Sequence, residues 1–144
     1  MVKPAQVQFY FDEDILRLAH TVARLRTDVT YPGDPGLELN RRQRPPCPIA
    51  KGSKDWMWLP VVTERQWLIV TRDHNIRENP AERQLVRETG ARMVALSGED
   101  SRFTWDQLEL LMVRWRRIEA LLKEPGPFIY LATRNRFKPL DLEI

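Results

Sequence analysis

Cysteine is almost missing from this chain. The single Cys47 has no partner for an internal disulfide, so a reducing, cytoplasmic setting is the simplest expectation. Cys47 lies in a proline-rich stretch with no histidine nearby in sequence, which argues against a nucleophile. Only two histidines occur, His20 and His74, and neither sits at a zinc-ligand spacing. His20 falls among helical residues and reads as structural. Six glycines form no phosphate-cradling loop, and no G-x-S-x-G elbow is present. Apolar runs are far shorter than a bilayer span, so no membrane partner is expected. The opening Met-Val-Lys-Pro-Ala-Gln has no signal-peptide core.

What is present is a chain of 144 residues, 42% of them hydrophobic. That is enough for one domain over residues 1–144 with a real core, and too few for two. Net charge is +3, with a pI near 9.3. A balance this mild points to nucleic acid only through its distribution. Arg41-Arg42-Gln43-Arg44, Arg114-Trp115-Arg116-Arg117 and Arg134-Asn135-Arg136-Phe137-Lys138 form three basic clusters. Each alone reads as a solvated face. Together they raise a phosphate-backbone surface.

Strand-like and helix-like patterns alternate. Val7 to Phe11 reads as a short buried strand. A helix over 14–26 follows, with Ile15, Leu18, Ala19, Val22 and Leu25 at helical spacing. Thr27 to Tyr31 is a second strand. Residues 32–54 have no periodicity and hold five of the eleven prolines. They read as a long basic loop, either a mobile arm near substrate or partner, or a solvated insertion. Ser53-Lys54-Asp55 resembles a helix start, although Pro60 places the proper beginning near itself. Trp67 to Thr71 is the most convincing strand. Pro80 to Glu88 is a helix stopped by Gly90, and Arg92 to Leu96 a buried strand. Residues 103–124 form a long C-terminal helix opened by a Thr104–Gln107 capping box. Its core stripe is Trp105, Leu108, Leu111, Met112, Trp115, Ile118 and Leu122, leaving Arg114 and Arg117 free to face solvent or RNA. Phe128 to Ala132 is a last strand at a sheet edge. The expected fold class is α/β, a mostly parallel central sheet flanked by helices.

Two acidic motifs sit where strands end: Phe11-Asp12-Glu13-Asp14-Ile15 and Val70-Thr71-Arg72-Asp73-His74-Asn75-Ile76. Carboxyl ends of parallel strands open onto one crevice. Asp12, Asp55 and Asp73, with Asp14 beside them, are therefore expected to converge within reach of one ion at that edge. Hard oxygen ligands suit Mg²⁺ or Mn²⁺. Helix capping accounts equally for Asp12, Asp14 and Asp55 taken singly, and a turn for Asp73. Arg72 and Arg77 flank the second motif as phosphate clamps, or as surface ion pairs with Glu78 or Glu82. His74 is a candidate contact to substrate or metal.

These motifs, with Lys54-Asp55-Trp56, Arg77, Pro80, Glu82 and the strand Arg92 to Leu96, resemble the PIN-domain superfamily, especially compact PIN-like proteins related to VapC-type toxins. The resemblance covers most of residues 7–97. It implies a single PIN-like domain and a metal-dependent endoribonuclease, with Mg²⁺ or Mn²⁺ bound by Asp12, Asp14, Asp55 and Asp73. It further implies RNA as substrate and a small antitoxin protein as partner. The flat surfaces beside the first helices and the proline-rich loop offer a dock for that antitoxin or for a second copy in a homodimer. Asn75 stands where many relatives carry a further acid. That departure leaves one well-held ion expected, and Asn75 as a neutral contact. It also keeps open a catalytically weak PIN-like module that binds RNA or protein.

Overall fold

The computed structural model describes residues 1–73 and 75–142. Strands β1 (Lys3–Pro4), β2 (Phe9–Phe11), β3 (Val29–Thr30), β4 (Leu37–Leu39), β5 (Arg42–Arg44), β6 (Leu68–Arg72), β7 (Arg92–Leu96), β8 (Phe128–Ala132) and β9 (Phe137–Pro139) alternate with helices. The helices are α1 (Leu16–Ala23), α2 (Asp55–Glu64), α3 (Pro80–Thr89) and α4 (Thr104–Ala120). Six strands form one sheet in the order β3-β2-β6-β7-β8-β9, parallel except for β9. This is the α/β architecture expected from the sequence.

The pleat sorts the core onto two faces. Phe9, Phe11, Leu68, Val70, Val94 and Leu96 pack with Leu18 and Val22 of α1 and Leu110 and Ile118 of α4. Tyr10, Ile69, Met93 and Ala95 pack with Trp58 and Val62 of α2 and Val86 of α3. Parallel strands covered on both sides read as unbroken apolar runs, which is why β6 and β7 were so legible.

Several local expectations are corrected. Residues 32–54 are not structureless. They contain the β4–β5 hairpin, which pairs with β1 in a second, three-stranded sheet. Gly36 is obligatory there, because φ is +90° and an added Cβ would lie 2.4 Å from the Arg44 carbonyl oxygen. Arg44 is 2% exposed; its fork grips Asp34 through Nε–Oδ2 at 2.6 Å and Nη2–Oδ1 at 3.2 Å. It is a buried structural residue, not part of a basic surface. Helix α2 starts at Asp55 and carries Pro60 inside.

The C-terminal helix packs through Gln107, Leu110, Leu111 and Ile118. Trp105 and Met112 are 78% and 70% exposed. The Thr104–Gln107 box does not form: Phe103 is the N-cap, and the Gln107 side chain donates to Ser101 O at 2.9 Å. Arg114 donates to the Thr133 and Arg134 carbonyls, and Arg117 lies 5.0 Å from the Phe137 ring centroid. Strand β8 is interior, since β9 covers it.

Candidate active site

Register builds the site. Phe11 of β2 pairs with Val70 of β6. One residue further on, Asp12 and Thr71 face each other on the side covered by α2 and α3. The Thr71 hydroxyl lies 2.9 Å from Asp12 Oδ2. The same hydroxyl is 3.2 and 3.1 Å from the two oxygens of Asp14. The turn Glu13–Ile15 swings Asp14 back toward β6, and its carboxyl packs over the Arg72 amide at 3.4 Å. Asp12 Oδ1 accepts from Glu13 N at 2.7 Å.

A hydroxyl has one proton to donate. It can serve one of these carboxylates fully, not both. Burial and the Asp14 charge push Asp12 up to about 7. Burial likewise raises Asp14 to about 6, against the Thr71 and Arg72 N hydrogen bonds that lower it. A proton or a cation must therefore offset the pair near neutral pH.

The carboxyls line a cavity of about 750 Å³ together with Tyr10, Lys54, Asp55, Trp56, Trp58, Arg72 and Glu82. Asp55 opens α2 and accepts from Trp58 Nε1 at 3.2 Å. Glu82 enters from the first turn of α3. It exchanges hydrogen bonds with Asn79, Glu82 N to Asn79 Oδ1 at 3.1 Å and Asn79 Nδ2 to Glu82 Oε2 at 3.3 Å. Burial first, then the charges of Asp55, Asp12 and Asp73, raise Glu82 to about 7. Glu82 was not among the site residues expected from the sequence. Its signal is an acid two residues after Pro80, on a helix that follows the second strand-end motif; a surface ion pair with Arg72 or Arg77 was the role read for it. Glu13 was missed as a tether: its carboxylate accepts from Gly52 N at 2.7 Å and pins the end of the 32–54 segment to the cavity rim.

Asp73 is held differently from the expected convergence. Its oxygens accept from Ile76 N at 2.8 Å and the Ser97 hydroxyl at 3.0 Å. It does not line the cavity, although its charge reaches Glu82. Asn75 is exposed in a left-handed conformation, φ 64°, before a 3₁₀ turn. Arg77 is exposed away from the cavity lining, its carbonyl taken by Arg83. Arg72 lines the cavity, and its Nε is buried without a hydrogen-bond partner. His74 lies outside the described residues.

An oxygen-only acidic donor set fits a hard divalent cation. Among the described residues, no three acids are already gathered as ligands of one ion. The arrangement is an acid-lined cavity, not a preformed cage.

Residues 7–98 match the family described as PIN like domain. The chain belongs to the PIN-like domain family. It is similar to a protein of Mycobacterium tuberculosis (strain ATCC 25618 / H37Rv) named "Putative ribonuclease VapC45", with 32% identity over 85 residues, 56% of this chain and 58% of that protein. The match thus spans less than two thirds of the relative's length. No solved structure matches the chain. The family match ends just after β7, so it contains all the acids of the cavity and omits α4, β8 and β9. Among the described residues, no helix is long and apolar enough to cross a membrane.

Proposed function

We propose that this PIN-like protein is a metal-dependent endoribonuclease that hydrolyses RNA phosphodiesters, and that it acts as the toxin of a toxin–antitoxin pair held in check by a small antitoxin protein. The observation that carries the reading is the pair Asp12 and Asp14 sharing the single Thr71 hydroxyl, with Asp55 and Glu82 facing the same cavity. Carboxylates so arranged disfavour joint ionisation, a penalty that a bound cation reverses. Nuclease chemistry needs that: a bound Mg²⁺ or Mn²⁺ activates water and neutralises charge on the phosphate. Asp12, Asp14, Asp55 and Glu82 would hold it, with Asp73 supporting from behind through its charge and its grip on Ile76 N and Ser97.

The chain's own groups divide the remaining work. Thr71 fixes the orientation of Asp12 and Asp14. Arg72, with a buried nitrogen still open to a partner, contributes a phosphate-binding guanidinium. Lys54 at the rim adds a positive charge. Asn75 and His74 neighbour the site in sequence and are kept as substrate contacts.

The test is cleavage of single-stranded RNA by the purified chain with Mg²⁺ or Mn²⁺ and with chelator. Cleavage that needs the ion and is lost in Asp12→Asn supports the reading. Wild-type protein that leaves RNA intact at millimolar ion would overturn it. The second reading is a catalytically weak PIN-like module that binds RNA or protein. It draws on Asp73, whose oxygens already serve the fold, and on the uncharged Asn75. RNA binding without turnover would select it.

A further inference from the structure

The sheet edge has two sides, and the pleat sends β6 side chains to both. Thr71 belongs to the α2–α3 side. Arg72, one residue on, belongs to the α1–α4 side, where a second cavity of about 480 Å³ opens. Arg72, Asp14 and Glu13 form the wall common to both cavities. The far wall of the second is Arg17, Arg102, Phe103 and Gln107. It shares Glu13 and Asp14 with the first cavity but adds Arg17 and Arg102, so its far side is cationic.

Phe103 is 65% exposed, yet it stands on a rigid turn. The Phe103 carbonyl accepts from Gln107 N at 2.9 Å, and the buried Gln107 amide holds Ser101 O at 2.9 Å. Ser101 in turn donates to Gly98 O at 2.8 Å. The Arg102 guanidinium lies 5.6 Å from the Phe103 ring centroid. A solvent-facing ring on a hydrogen-bonded turn, with one guanidinium over one face and two more in the same cavity wall, suits one nucleotide: the base stacks on the ring's other face, and its phosphate meets the arginines. A second exposed aromatic, Trp56 at 67%, rims the acid cavity on the other side. Duplex bases hide their faces in the stack, so such platforms take single strands.

Resting on the ribonuclease reading, the geometry points to a nucleotide subsite formed by Arg17, Arg72, Arg102 and Phe103, which takes the residue of a single-stranded RNA next to the scissile bond as the strand crosses the sheet edge. Phe103 stacks the base, and the arginines take its phosphate. Cleavage context is then read at this position by stacking strength.

The test uses the full chain with Mg²⁺ and single-stranded RNA octamers, intact or with one abasic ribose at each position in turn. Phe103→Ala should raise KM roughly 10-fold, the scale of one lost base stack, and move kcat far less. Phe103→Trp should restore KM. One abasic position, adjacent to the cut, should raise KM in wild type and add nothing in Phe103→Ala. Arg102→Ala should lower the log–log salt slope of binding by roughly 0.7. Met112→Ala, exposed on the face away from both cavities, is the control that should leave KM unchanged. If the wild type cuts RNA while Phe103→Ala keeps its KM, or if the abasic and Phe103 effects add, the subsite is overturned and the ribonuclease reading stands. If the wild type neither binds nor cuts RNA, both fall together.

Discussion

Two carboxylate sites, some twenty residues apart in sequence, show opposite design. Asp34 is 2% exposed and fully answered. Both its oxygens meet the Arg44 fork, and it also accepts from the Thr30 hydroxyl at 2.9 Å and Gly36 N at 2.8 Å. Arg44 spends its remaining nitrogen on the Ala23 and Arg26 carbonyls at 3.0 and 3.2 Å. Asp12 and Asp14 share one hydroxyl and draw on two backbone amides, Glu13 N and Arg72 N. The first site is closed and holds the hairpin onto α1. The second gathers like charges around one hydroxyl, and each carboxyl raises the cost of ionising the other.

The largest effect should come from breaking the answered site. Arg44→Ala strands a buried carboxylate and should cost about 3–5 kcal/mol of stability, read as a large drop in melting temperature. Replacing both partners, Arg44→Met with Asp34→Leu, should recover most of it. A mild loss in the single mutant would mean that the pair is not the clasp described.

The Asp12–Asp14 site should respond in the opposite sense. Asp12→Asn should cut RNA cleavage by roughly 10²-fold or more while raising metal-free stability at pH 7.5 by about 2 kcal/mol, because it removes a charge held at a disfavoured place. Denaturant melts with and without Mg²⁺ measure both halves. Wild type should gain stability from the ion by mass action, and the variant should lose most of that gain. Destabilisation of the metal-free variant would contradict the carboxylate repulsion.

A smaller effect follows from pH. Folded values of about 7, 6 and 7 for Asp12, Asp14 and Glu82 lie above their ordinary 3.8, 3.8 and 4.5. The native state therefore holds more protons than the unfolded chain between roughly pH 4 and 7. The contribution of these groups is full below the ordinary values and is lost as pH rises through about 7. Metal-free wild type should lose stability relative to Asp12→Asn across that window. Saturating Mg²⁺ should reduce the difference. Parallel pH curves for the two proteins would refute the shift.

The smallest effect concerns the surface of the hairpin. Arg41→Ala with Arg42→Ala, leaving Arg44 in place, should lower the log–log salt slope of RNA binding by up to roughly 0.7 per contact, with no change in melting temperature. An unchanged slope assigns these two arginines to solvent or to a protein partner.

Much of this was legible because it is local. Four apolar residues in a row before Thr71, and Met93 to Leu96 after Arg92, read as strands buried on both faces. Pro80 and Gly90 bracket a helix by φ alone, Pro at the first turn and Gly at φ +77° after the last. The acids at the ends of β2 and β6 follow from those strands. What the sequence concealed are choices made between distant segments. Glu82 looks like a surface ion-pair partner until α3 is laid against α2. Asp73 looks like an acid open to the crevice until Ser97, just past β7, donates to its second oxygen. Arg44 looks like one more charge in a basic run until the hairpin folds it against Asp34. The face of α4 was misjudged because Trp105 and Met112 match helical spacing as well as Leu110 does; only docking on the sheet picks between them.

The sequence by itself determined the alternation of strands and helices, the parallel sheet, and that carboxylates would stand at its C-terminal edge, since period and punctuation are properties of short stretches of chain. Tertiary structure alone decided which acids share a cavity, which charge is answered by a partner, and which aromatic is left facing water. Those depend on β2–β6 register and on helix docking, where a one-residue shift would turn Asp12 and Thr71 to opposite faces.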